Sequence, residues 1–158
     1  MKLQQELKLK QPLVSDNHEA LLNLVRTSSM LLKLSDRFFS NFGLTDAQFN
    51  ILMILNDHGP DGLSQQELSN HLIVTKSNMV GLVDRLENAW YVKRKPHPTD
   101  RRFYRIVLTP KGREVVERVK KSYFEEVDRM MSVLSDSQKK SLISAMERLR
   151  QYLNARQA

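Results

Sequence analysis

The side chains in this sequence best suited to chemistry are cations, and the chemistry they suit is recognition of negative charge. The stretch "KRKPHPTDRRFYR", Lys93 to Arg105, sets six Lys/Arg around two prolines and one acid. Charge this dense repels itself, so a fold tolerates it only in water or against a polyanion. Pro96 and Pro98 fix φ on either side of His97 and remove backbone donors, which marks the tip of a turn. The flanking segments "YVKRK" and "FYRIVLT" are rich in aromatic and β-branched residues, so they predict the two strands of a hairpin. On that hairpin Lys93, Lys95 and Arg105 are candidates for phosphate contact. Arg101 and Arg102 leave the tip. Asp100 would be repelled by a polyanion and is assigned to hold an arginine in a bidentate pair. Ile106 and Leu108 should alternate inward, leaving Arg105 and Val107 on the other face.

Other chemistries lack the residues they need. The chain has no cysteine, so disulfides, thiolate nucleophiles and cysteine redox sensing are excluded. No G-x-x-x-x-G-K, G-x-G-x-x-G, H-E-x-x-H or G-x-S-x-G occurs, so no phosphate cradle, metal pair or nucleophile elbow is expected. His18, His58, His71 and His97 show no spacing that would organise a metal site. The expectation is a protein that is not an enzyme and holds neither metal nor cofactor.

Composition agrees with a binding role. The 158 residues suffice for about one domain. A net charge of +7 favours an anionic partner. Between Trp90 and Arg113 eight Lys/Arg face one acid, while the remainder is nearly balanced. No apolar run is long enough to span a membrane and the start "MKLQQELKLKQPLV" is too polar for a signal peptide, so a soluble cytoplasmic protein is expected.

The elements that must position the hairpin are helices. Residues 1–15 read as a loose arm closed by Pro12. Asp16 or Asn17 should cap a long helix to about Asn41, ended by Gly43. Thr45 caps a second helix from Asp46 to about His58, apolar on nearly every side and so buried. After the turn "GPDG", Ser64 and Glu67 stand in the capping-box relation for a helix to about His71. Thr75 caps the next helix, to about Asn88. Beyond the hairpin Thr109 caps and Pro110 begins a helix to about Leu134. "SDSQKK" starts the last one, whose Leu142, Met146, Leu149 and Leu153 are spaced 4-3-4, as in a helix-pairing seam. Tyr123, Phe124, Val127 and Met130 supply apolar surface on the preceding helix.

This order is mainly α with a small β-hairpin: a winged helix-turn-helix, in which the second helix of the turn enters the DNA major groove. In that helix Met79, Leu82, Val83 and Leu86 share a core-facing side. The opposite side carries Ser77, Gly81, Asp84 and Asn88, with Asn78, Val80 and Arg85 flanking. Asn78 could read adenine bidentately, and Thr75, Lys76 and Ser77 could reach bases or phosphate at the helix start. Gly81 on an outer face lowers helix stability by about 1 kcal/mol relative to alanine, and close backbone approach to DNA would explain it. The basic tip then becomes a wing, with Arg101 and Arg102 reaching a narrow minor groove.

The segments "GLTDAQFNILMIL", "LSQQELSNHLIVTKSNMVGLVDRLE" and "DRRFYRIVLTPKG" resemble the MarR family of winged-helix transcription regulators. The resemblance covers about Leu21 to Leu153, and its strongest part is Asp100, Arg102, Leu108, Thr109 and Gly112 after the wing. It implies that Arg102 enters the minor groove. It also implies a homodimer on a pseudo-palindromic operator, with interleaved terminal helices. The chain would then divide into residues 1–42 (arm and dimerisation helix), 43–109 (DNA-binding lobe) and 110–158 (dimerisation helices), one intertwined domain. The family often binds a small aromatic or acidic effector in a crevice, which Arg26, Met30, Phe49 and His58 are placed to line. The expected function is sequence-specific double-stranded DNA binding as a ligand-responsive repressor. The alternative is a non-specific winged-helix binder of nucleic acid without an inducer.

Overall fold

The computed structural model describes residues 3–11, 13–72, 79–96 and 103–156. They form seven helices and one hairpin: α1 (Leu3–Glu6), α2 (Asp16–Ser40), α3 (Asp46–His58), α4 (Gln65–His71), α5 (Met79–Asn88), β1 (Val92–Pro96), β2 (Tyr104–Leu108), α6 (Pro110–Met131) and α7 (Asp136–Ala155). Two compact units result, Met1–Arg113 and Glu114–Ala158. None of the described helices is long and apolar enough to cross a membrane.

The helix starts follow from short side chains that replace missing intrahelical partners. Ser15, rather than Asp16 or Asn17, caps α2 by accepting from the His18 amide at 3.3 Å. Reciprocal capping boxes pair Thr45 with Gln48, Ser64 with Glu67, and Ser135 with Gln138. At the other end of α2, the Gly43 amide donates to Ser40 and the Leu44 amide to Phe39, closing the helix in a Schellman pattern. The last turns of α6 stop at Met131, short of Leu134.

The arm is more ordered than its composition suggests. It contains α1, Leu3 is buried, and Glu6 reaches the Arg26 guanidinium at 2.6 Å.

The core of the first unit is built around α3, whose Phe49, Ile51, Leu52 and Leu55 are all buried. Each fully buried side chain of this size contributes about 1.5–3 kcal/mol before entropic losses. Phe39 of α2 meets Phe49 with ring centroids 4.8 Å apart, and Ser35 donates to Asp46 at 2.7 Å, so α2 and α3 are joined by both packing and polarity. Leu68 of α4 and Met79, Val83 and Leu86 of α5 complete the helical side.

β1 and β2 pair antiparallel, Val92 opposite Leu108 and Pro96 opposite Tyr104. Leu63 adds a third, one-residue rung: its amide donates to Ile106 at 3.0 Å and the Ile106 amide returns a bond at 2.6 Å. That rung changes the expected alternation of β2. Val107 is buried together with Ile106 and Leu108, because the turn before Leu63 lies over it. A Cβ on Gly62 would overlap the Ile106 carbonyl oxygen and crowd Val107, and Gly62 also has φ 64. Glycine is therefore required there.

Candidate nucleic-acid interface

Opposite residues of an antiparallel pair share a face, so the register sorts the hairpin side chains. Arg94, Ile106, Pro96 and Tyr104 lie on one face. Lys93, Val107, Lys95 and Arg105 lie on the other.

Each face is tied down by an arginine. Arg94 donates Nη2 to Asp84 Oδ1 at 2.5 Å, Nη1 to Glu87 Oε2, and its backbone amide to Glu87 Oε1 at 2.9 Å. This one residue therefore joins β1 to the outer side of α5. Its guanidinium pKa is raised above the ordinary arginine value, first by the hydrogen bond it donates to Asp84; partial burial opposes this, and Glu87 adds to it.

On the second face Arg105 donates Nε to the Asp61 carbonyl at 2.8 Å and Nη2 to the Gly62 carbonyl at 2.7 Å. Glu67 lies 3.8 Å from the same nitrogen. Arg105 thus braces the lobe internally, whereas Lys93 and Lys95 are exposed with no ion-pair partner among the described residues.

The junction of α5, β1 and α6 explains part of the sequence signature. Thr109 Oγ1 donates to the Trp90 carbonyl at 2.6 Å and accepts the Gly112 amide at 3.0 Å, so it is both staple and cap. A Cβ at position 112 would overlap the Tyr91 carbonyl oxygen, which fixes the glycine three residues after the threonine. Lys111 reaches the Ala89 carbonyl at 2.9 Å and lies over the Tyr91 ring, matching cation to helix C-terminus.

Of the base-reading candidates, Gly81 is half-buried and Arg85 exposed on α5. Thr75, Lys76, Ser77, Asn78, Asp100, Arg101 and Arg102 lie outside the described residues. Met79, Val83 and Leu86 form the buried side of α5 as the periodicity predicts, with Leu82 half-buried beside them.

The four effector candidates have different fates. Phe49 is only 2% exposed and belongs to the core against Phe39. His58 Nδ1 sits 2.8 Å from the Ile54 carbonyl, and its ring packs edge-on against His71. Met30 is exposed, and Arg26 is held by Glu6. Sequence reasoning missed three functional contributors: Arg94, Glu87 and the rung at Leu63. The two charges were visible, but nothing local pairs a strand residue with a helix residue seven or ten positions earlier.

The sequence profile of the MarR family matches residues 42–102, which contain α3, α4, α5 and β1. The HTH-type transcriptional repressor YetL of Bacillus subtilis is 30% identical over 128 residues, 81% of this chain and 77% of YetL. The chain belongs to the MarR family. The HTH-type transcriptional regulator PecS of Dickeya dadantii is likewise 30% identical, over 82% of this chain and 79% of its own. Among solved structures, the MarR-family regulator AbsC of Streptomyces coelicolor shares the fold with a TM-score of 0.77 at 23% identity, covering 92% of this chain and 99% of AbsC. MepR of S. aureus, solved as a complex with DNA, matches at 25% identity with a TM-score of 0.73 over 82% of this chain and 96% of its own. MarR-family proteins are transcriptional regulators and not enzymes, and the winged helix-turn-helix expected from the sequence is the fold observed.

Proposed function

We propose that this MarR-family chain is a repressor that binds duplex DNA sequence-specifically, as a homodimer on a pseudo-palindromic operator, and is released by a small aromatic or acidic effector. The observation that carries the DNA reading is the sorting of charge on the hairpin. Arg94 and Arg105 are matched within the lobe, while Lys93 and Lys95 are held outward beside α5. Cations without an ion-pair partner among the described residues of a paired ribbon suit phosphate contact. The MepR–DNA complex shows that a protein of similar fold binds DNA. In this reading Thr75, Lys76, Ser77, Asn78, Gly81 and Arg85 face the major groove, Arg101 and Arg102 the minor groove, and Asp100 steadies the wing. Occupancy of a promoter is enough for repression.

Support for the effector comes from Arg26. It already binds a carboxylate, Glu6, so an acidic small molecule would compete for a cation whose ion pair is part-exposed.

The test is fluorescence anisotropy with the duplex upstream of the protein's own gene and a scrambled duplex, across a salt series. A preference for the first that survives added salt supports sequence reading. Equal binding that collapses with salt makes the protein a non-specific binder. Absence of binding to either at low salt overturns the DNA reading.

A further inference from the structure

The outer half of the hairpin carries more than charge. Phe103 is 61% exposed and Tyr104 53% exposed. Tyr104 begins β2 and Phe103 immediately precedes it, so the outer end of the ribbon carries two aromatic rings lying largely in solvent. Up to the rung before Tyr104 the ribbon is held on both faces, by α5 through Arg94 and by the Asp61–Gly62 turn through Arg105. A fold that holds the paired strands and leaves two large rings exposed at their outer end presents those rings to something outside the chain. The partner's chemistry is set by the neighbours. Lys93 and Lys95 lie exposed on the paired strand β1, and residues 92–96 and 103–108 contain no acid. Apolar rings beside cations that have no ion-pair partner among the described residues fit a partner with anionic backbone and stackable faces, which is nucleic acid.

We infer that the wing grips duplex DNA with aromatic rings as well as charge, Phe103 entering a base step as an apolar wedge while Lys93 and Lys95 hold the adjoining phosphates. This inference rests on the DNA-binding reading above and deepens it. Apolar side chains inserted at a base step unstack it and kink the duplex, so the affinity they add depends on how easily that step deforms. Flexible pyrimidine–purine steps would then be preferred beneath the wing without any hydrogen bond to their bases. Tyr104, on the opposite face with Pro96, would meet the sugar edges on the other side.

The two contributions separate in salt. Removing a lysine lowers the slope of log affinity against log salt by about one, whereas removing a ring leaves the slope unchanged. The experiment uses the full chain and a duplex that the protein itself selects from a random-sequence library, with 2-aminopurine placed in turn at each step near the wing. The wild type should raise the fluorescence at one step, reporting unstacking. Phe103→Ala should abolish that rise and weaken binding roughly ten-fold at constant salt slope. Phe103→Leu should keep much of both, and Lys95→Ala should lower the slope and keep the rise. Because Phe103 is exposed, an unchanged melting temperature in Phe103→Ala shows that the fold is intact. If Phe103→Ala binds and unstacks like the wild type, the wedge is wrong while DNA binding stands. If the library yields no bound duplex at all, the DNA reading fails and the wedge with it.

Discussion

At the end of α5 the backbone needs a left-handed residue, and the chain supplies Trp90. The Trp90 amide donates to Glu87 and the Tyr91 amide to Leu86, each at 2.9 Å, which is the Schellman closure. Its φ is 62, a region that favours glycine, and the side chain is 73% exposed, so little packing offsets the strain. Trp90→Gly should therefore stabilise the fold by about 1 kcal/mol, raising the melting temperature by a few degrees at matched protein concentration. Thermal and urea unfolding would check this. A lower midpoint would show that the indole makes a stabilising contact beyond this chain. Gly112 is the opposite case, where glycine is forced by the Tyr91 carbonyl rather than by φ. The sequence displays both residues equally plainly, yet the physical need at each is visible only once the turn is built.

At the scale of elements, the boundaries set by local chemistry were legible. The three capping boxes each need only a hydroxyl and, three residues on, a side-chain amide or carboxylate, so "TDAQ", "SQQE" and "SDSQ" announce their helices. What was not legible is long-range. The rung between Leu63 and Ile106 joins residues far apart in sequence, and it alone explains why Val107 is buried. The brace from Arg105 to Asp61 was likewise hidden, because it joins residues far apart in sequence. The clamp of Arg94 on Asp84 and Glu87 ties β1 to the outer side of α5, so its loss should reach function. These groups are partly exposed, so Arg94→Ala should lower stability by no more than about 1 kcal/mol. Its effect on DNA binding should be larger, since the wing loses its tether and two acids on α5 lose their counter-charge. Faster amide exchange in β1 and weaker anisotropy titrations, at a nearly unchanged midpoint, would establish the clamp. Neutralising both acids, Asp84→Asn with Glu87→Gln, should restore part of the lost affinity by removing repulsion. The pH dependence has a definite sign. A raised arginine pKa gives stabilisation that is complete below the ordinary arginine range and is lost only as pH rises beyond it, so raising the pH from neutral to mildly alkaline should leave the clamp intact.

At the scale of the whole molecule the decisive feature is apolar surface that a single chain does not cover. The helix α7 runs 20 residues without one buried side chain, and Leu142, Ile143, Leu149, Tyr152 and Leu153 are exposed. On α2, Leu21, Leu24, Val25, Leu31 and Leu32 are exposed as well. Isolated helices are marginal in water, and their stability in proteins comes chiefly from packing an apolar face. A second copy of the chain would cover such faces with the residue types already present, and two-fold symmetry would set two copies of α5 about one DNA turn apart, ~34 Å. Leu149 lies in the middle of the 4-3-4 seam, so Leu149→Asp would bury a carboxylate in the interface of every dimer. Sedimentation should show a predominantly monomeric variant at concentrations where the wild type is dimeric, with operator affinity falling at least ten-fold because two half-sites are no longer engaged together. A Leu149→Asp protein that remains dimeric would move the interface off α7 and onto α2. A wild type that sediments as a monomer would leave both faces uncovered and overturn the dimeric reading.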